Sequence, residues 1–198
     1  MNARLSKNFV WYSGIVYHGE FLINHFEAKV DLLTVSTQHE EQNIAYERSK
    51  IWVDNICNGA IFIASTDKTL PAYQNLNARL IIMPEDPVDQ VIGIMLYLKL
   101  NSIMQNRLVV TDVSIKSTQG DDMEYHHASG ESLGDGLSTD GWWIDPRPVY
   151  TDFKPRAKQK IVALDRGPEW KDYGLDWDAE ETKSSGVVFA KFGKDENN

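Results

Sequence analysis

Cysteine is close to absent from this sequence: Cys57 stands alone among 198 residues. A lone thiol closes no intrachain disulfide and builds no cysteine-based zinc knuckle. Beside Ile56 in a helical pattern, it reads as a small core residue. Uninterrupted apolar runs are missing too. The longest, Val88–Leu100, is broken by Asp89, Gln90 and Lys99, which makes it too short and too polar to span a bilayer. Met1–Asn8 carries no apolar run and does not read as a signal peptide. Positive charge is in deficit, with 20 Lys and Arg against 29 Asp and Glu and a net charge of −9. Sequence-independent grip on nucleic acid needs Lys and Arg to neutralise phosphates, and the same acidic field opposes anionic membrane surfaces. The expectation is a soluble, cytoplasmic protein with neither nucleic acid nor membrane as a partner.

The motifs that announce chemistry are missing as well. No phosphate loop ends in Gly-Lys-Ser/Thr, no Rossmann fingerprint follows a strand, and no Gly-x-Ser-x-Gly elbow is present. The Gly134–Gly141 stretch holds Ser138 and Thr139 among acids, but no base to activate either, so both read as turn formers. No catalytic residue and no cofactor are expected.

What the chain does have is apolar and aromatic substance. Apolar residues make up 42%, aromatics 11%, and there are six tryptophans. That composition belongs to a globular chain rather than a disordered one. The length allows one ordinary domain plus an extension.

Between Phe9 and Lys116 the segments alternate in a definite order. Phe9–Tyr17 is dense in β-branched and aromatic residues, which predicts a strand. His18-Gly19-Glu20 is a tight connection, so the next strand returns antiparallel. From Phe26 to Thr34 apolar and polar residues alternate, the pattern of a half-buried strand. Thr37 and Glu40 fit a capping box, followed by an amphipathic helix that ends at Asn58-Gly59. Ala60–Ala64 and Arg79–Met83 are short strands joined by a loop over Thr66–Asn77. Asp86-Pro87 predicts a helix start, and the helix to about Gln105 is apolar nearly all round, so it is the more buried of the two. Arg107–Lys116 closes the series. Setting the first strand aside, the order is βαββαβ. The expectation is an α+β fold with a ferredoxin-like core over residues 8–118, an extra N-terminal antiparallel strand, both helices on one sheet face and the other face free. The RNA-recognition fold shares this order but needs aromatics on its inner strands, and Arg107–Val113 has none.

From residue 119 to 198 the texture changes to Gly, Asp, Pro and Trp, predicting a long irregular extension, with short strands at Lys160–Leu164 and Gly186–Phe192. Trp142, Trp143, Tyr150, Trp170 and Trp177, with Phe153 and Tyr173, either pack down on the sheet or dock on another chain. Trp and Tyr are enriched at interface cores, so these are the candidate interface residues.

Two histidine groups are candidate metal ligands. His18, Glu20, His25 and Glu27 cross the predicted hairpin, and His with carboxylate suits zinc or iron. The competing reading is a mixed-charge solvated face. Asp121, Asp122, Glu124, His126 and His127 form the second group, although adjacent histidines on a strand face opposite ways.

The segments Pro84–Asn101 and Asp140–Trp143 resemble stretches of uncharacterised proteins from marine phage and environmental sequences. That resemblance implies a phage or marine bacterial setting, with a virion-associated location as an alternative, and carries over no residue role. The functional expectation is a non-enzymatic binding or assembly protein, partnered by itself as a homo-oligomer or by another protein. The alternative is a metal-dependent enzyme using the His18/His25 hairpin or the His126/His127 loop.

Overall fold

The computed structural model describes residues 3–76, 78–133, 137, 141–151 and 168–177. The chain is α+β, and its described residues form one mixed six-stranded sheet. The first two strands are β1 (Arg4–Tyr17) and β2 (Glu20–Thr34). Helix α1 (His39–Ile51) runs on into a π-helical turn, Trp52–Cys57. Then come β3 (Ile61–Ala64), the short helix α2 (Leu70–Gln74), β4 (Leu80–Met83), α3 (Asp89–Met104), β5 (Leu108–Ser117) and β6 (Tyr125–Ala128). No helix among the described residues is long and apolar enough to cross a membrane.

The segment order is as expected, but the strand order is not ferredoxin-like. Across the sheet it is β4-β3-β1-β2-β5-β6. β1 is not an addition at the edge. It sits in the middle, antiparallel to β2 and parallel to β3. β3 and β4 are also parallel, not an antiparallel pair. The physical reason lies in the 65–79 link, where α2, with Pro71 in its first turn, makes a crossover of what reads in sequence as a loop. Parallel neighbours need such a crossover. β6 pairs antiparallel with β5, so the sheet continues beyond residue 118 into the stretch expected to be irregular.

Period-two alternation sets the faces. Phe9, Trp11 and Ile15 of β1, Phe26, Ala28, Val30 and Leu32 of β2, and Val110, Val113 and Ile115 of β5 form one buried face with α1 and α3 packed over it. Trp11 stacks on Phe26 with ring centroids 5.0 Å apart. A bulge at Asp31/Leu32 opposite Asp112–Val110 keeps the apolar residues of β5 inward after the register shifts. Ten residues of α3 are buried against three of α1, as the apolar circumference of α3 requires. Cys57 is buried, and burial pushes its thiol well up.

Helix ends differ from the expected caps. The capping residue of α1 is Gln38, without a side-chain bond. Ser36, not Thr37, organises the start: its hydroxyl accepts from the Gln38 N–H at 3.1 Å and donates to Glu41 at 2.5 Å. α3 begins at Asp89 rather than Pro87, because Val88 keeps an extended backbone (ψ 161). Gly59 does take the left-handed conformation (φ 76) that ends the first helical run.

Gly93 fixes how close α3 lies to the sheet. A Cβ there would sit 2.9 Å from Ile115 Cγ2 and 3.1 Å from the Tyr125 ring. Glycine costs a helix interior about 1 kcal/mol, and here the cost is offset by close packing on β5 and β6. Gly93→Val is expected to lower the unfolding free energy by about 1–3 kcal/mol through overpacking, read as a fall in the denaturation midpoint at unchanged slope.

Candidate functional site

The expected extension does not stand apart from the core. Residues 141–151 and 168–177 lie on α1 and α3, and the core supplies donors for their carbonyls. Lys99, fully buried in α3, donates from Nζ to the carbonyl oxygens of Trp142 (3.1 Å), Asp145 (2.7 Å) and Arg147 (2.8 Å). Burial pulls its pKa down to about 7, against the attraction of Asp145. Arg48, also enclosed, donates to the Leu175 carbonyl from Nε (2.9 Å) and Nη2 (2.6 Å), and to the Ile103 carbonyl from Nη1 (3.2 Å). Burial lowers its pKa to about 10. Its guanidinium lies 3.7 Å from the Trp177 ring centroid, and Arg107 lies 4.3 Å from the same centroid.

Indole N–H groups add bonds from the core to the docked segments, from those segments to the core, and between the segments. Trp52 donates to the Val149 carbonyl (3.3 Å), Trp142 to Ile82 (2.9 Å), and Trp170 to Pro146 (2.6 Å). Trp177 donates to the Gln105 side chain at 2.7 Å. Trp142, Trp143 and Trp170 are core residues, while Tyr150 and Trp177 pack half-buried against them. These five candidate interface residues are thus engaged within the chain, because burying the irregular segments takes both their area and their donors. Phe153 and the two expected strands of the extension lie outside the described residues.

The exposed apolar surface is instead on the face of the sheet opposite α1 and α3, beside the short α2. Val10, Tyr12, Phe21 and Ile23 are 57%, 61%, 47% and 72% exposed. The β1–β2 register places them together, with Tyr12 opposite His25, Gly14 opposite Ile23 and Val16 opposite Phe21. Gly14 has no side chain, so the Phe21 ring lies over it, stacked 6.4 Å from Tyr73 of α2. The patch continues onto half-buried Ile61 and Leu80, the Gly14 neighbours on β3 and β4. Beyond it the same face turns ionic, with Lys116 3.2 Å from Glu27 and Lys29 3.6 Å from Asp31. The Glu27 hydrogen bond raises the Lys116 pKa.

The histidines are spread out. His18 occupies the hairpin turn (φ 51), edge-on to Tyr17. His25 lies mid-strand with its ring 4.6 Å from Tyr12, and Glu27 is paired with Lys116. His126 shares a 2.7 Å hydrogen bond with Ser114 on the face opposite α1 and α3. His127 points the other way, buried edge-on to Tyr97, its ring nitrogens without a hydrogen-bond partner. Among the described residues no three His, Cys, Asp or Glu side chains converge as a metal group.

Sequence reasoning missed Lys99, Arg48 and the apolar patch. A single lysine inside the apolar Val91–Met104 run was a readable signal, because a buried ammonium must find acceptors. Arg48 had no such contrast among the charged residues of α1.

No family model matches the chain, and no curated protein matches its sequence. Among solved structures it is similar to an uncharacterised protein from Wolinella succinogenes, at 10% identity over 65% of this chain and 99% of that one, with a TM-score of 0.47. It is also similar to two catalytic-residue variants of 6-pyruvoyltetrahydropterin synthase from Plasmodium vivax, each at 11% identity over 65% of this chain and 99% of that one, with TM-scores of 0.41. Likeness at this level assigns neither a family nor an activity.

Lys99→Met removes the donor that three carbonyls share. It is expected to cost on the order of 2–4 kcal/mol of stability and to shift tryptophan emission to the red as Trp142 and Trp143 become wet. The sign of the pH dependence follows from the lowered pKa. Between about pH 7 and the ordinary lysine value of 10.5, the unfolded chain binds the extra proton, so Lys99 makes stability rise with pH across that window. Denaturation midpoints should show this rise in the unmodified chain relative to Lys99→Met.

Proposed function

We propose that the protein is a non-enzymatic binding and assembly protein, a homo-oligomer whose copies meet through the sheet face opposite α1 and α3. The observation that carries this reading is the exposed patch of Val10, Tyr12, Phe21 and Ile23 on two adjacent central strands. Single exposed apolar residues need no explanation, whereas a contiguous patch rimmed by polar groups marks an interaction surface.

The neighbouring charges favour a second copy as the occupant. The chain carries −9, so two copies repel at long range. On this face Glu27 and Lys116, and Lys29 and Asp31, are already paired with opposite charge. A two-fold axis through such a face brings the apolar half of one copy onto that of the other, and mixed-sign pairs can exchange partners across it.

Size-exclusion chromatography with light scattering tests the reading. The unmodified chain is expected to run as an oligomer at micromolar concentration. Tyr12→Lys combined with Ile23→Lys is expected to weaken association by at least about 30-fold, since a buried anchor is worth about 2 kcal/mol, while the far-UV circular dichroism spectrum stays unchanged. A monomeric unmodified chain sinks the reading, as does a double variant that still associates.

A further inference from the structure

At the hairpin end of the sheet, the N-terminus of α3 and the link between β5 and β6 enclose a cavity of about 490 Å³. That size falls in the range of small-molecule sites, about 300–1,000 Å³. Ile15, Leu22, Pro87 and Tyr125 provide apolar walls, and Met123, 74% exposed, stands at the mouth.

The polar groups gather on one side. Asp89 Oδ1 accepts from the Ser117 hydroxyl at 2.7 Å, and that hydroxyl oxygen accepts in turn from the Gly120 N–H at 3.2 Å. Asn24, buried, accepts from the Gln119 N–H at 3.0 Å. Asp89 Oδ2 is buried without a partner and packs against Gly120, where a Cβ would strike it. Two carboxylates, Asp89 and Glu124, line the cavity, Glu124 with one oxygen 3.9 Å from His126 Nε2, and among the described residues neither lysine nor arginine lines it. Burial raises the Asp89 pKa, with only the Ser117 hydrogen bonds opposing it. A half-buried carboxylate whose oxygens have the Ser117 hydroxyl as their donor and no described cation beside them is short of a counter-charge.

We propose that this cavity binds a small organic amine, with the ammonium held by Asp89 and Glu124 and an apolar body of ring size seated among Ile15, Leu22, Pro87 and Met123. Tyr17 and Tyr125, which also line the cavity, offer π faces to the same cation. Oδ2 is shut off behind Gly120, so the ammonium acts on the Asp89 carboxylate from across the cavity. The amides at the start of α3 would favour an anion, and the two carboxylates oppose one. An anionic ligand is therefore the competing occupant.

The full chain, labelled with ¹⁵N, is titrated with phenethylamine, 2-phenylethanol and 3-phenylpropionate, which share a body and differ in charge. Phenethylamine is expected to shift the amides of Ser117, Gln119, Gly120 and Met123 saturably, at least about tenfold more tightly than 3-phenylpropionate. Asp89→Asn is expected to weaken it by about tenfold or more. Val88→Trp fills the rim and leaves the carboxylate in place, and is expected to abolish the shifts. The proposal is overturned if 3-phenylpropionate binds as tightly as the amine, if phenethylamine gives no saturable shift, or if the shifts persist in Val88→Trp. Should Asp89→Asn fail to fold, the contrast between amine and carboxylate in the unmodified protein decides the charge requirement alone.

Discussion

A chain without regular structure can be laid over an apolar core only if its carbonyls find donors there. That constraint organises this molecule. Lys99 satisfies three carbonyls of the 142–147 stretch, and Arg48 satisfies Leu175 while it also ties down the end of α3 at Ile103. The tryptophans extend the same device, since an indole buries a large area and carries one donor. Trp52, Trp142 and Trp170 each spend that donor on a backbone carbonyl. The Trp142 bond to Ile82 also covers part of the edge strand β4, whose open groups would otherwise invite pairing. Trp11 is the exception, a buried indole whose N–H has no partner; it serves by its area alone, stacked on Phe26.

The two faces of the sheet divide the work. One is closed by α1, α3 and the docked segments, and its alternating residues form the core. The other keeps apolar side chains in water along the central hairpin and pairs its charges farther along. Aromatic and β-branched residues on both faces of β1 fit a strand at the centre of a sheet. At an edge, the same composition would be an aggregation hazard.

Much of this was legible in the sequence. The hairpin, the two main helices and β5 were readable because apolar period and turn chemistry agree there, as at His18-Gly19 and Gly59. The deeper burial of α3 followed from its composition, and the opposite orientations of His126 and His127 followed from strand alternation. Strand neighbours were not legible. Alternation fixes which face a residue occupies, but not which strand lies beside it, and a five-residue helix at Leu70–Gln74 decided that β3 and β4 run parallel. Caps were misread where a neighbour competed, Ser36 for Thr37 and an extended Val88 for Pro87. The aromatic residues of the extension had two readings, packing on the sheet or docking on another chain, and Trp142, Trp143, Tyr150, Trp170 and Trp177 lie against their own core. A free sheet face was expected, but not which side chains gather on it, because a dense apolar strand looks the same whether one face or both are covered.

The anchors join residues far apart in the chain: Lys99 to the stretch from 142 to 147, and Arg48 to Leu175, 127 positions later. During synthesis, α1 and α3 therefore emerge well before the groups that make burial of their two cations tolerable. Until those groups arrive, the helices have reason to keep that side hydrated, and the sheet lacks its full cover. Arg48 can be enclosed as it is here only in a chain extended at least as far as Leu175, whose carbonyl takes two of its donors.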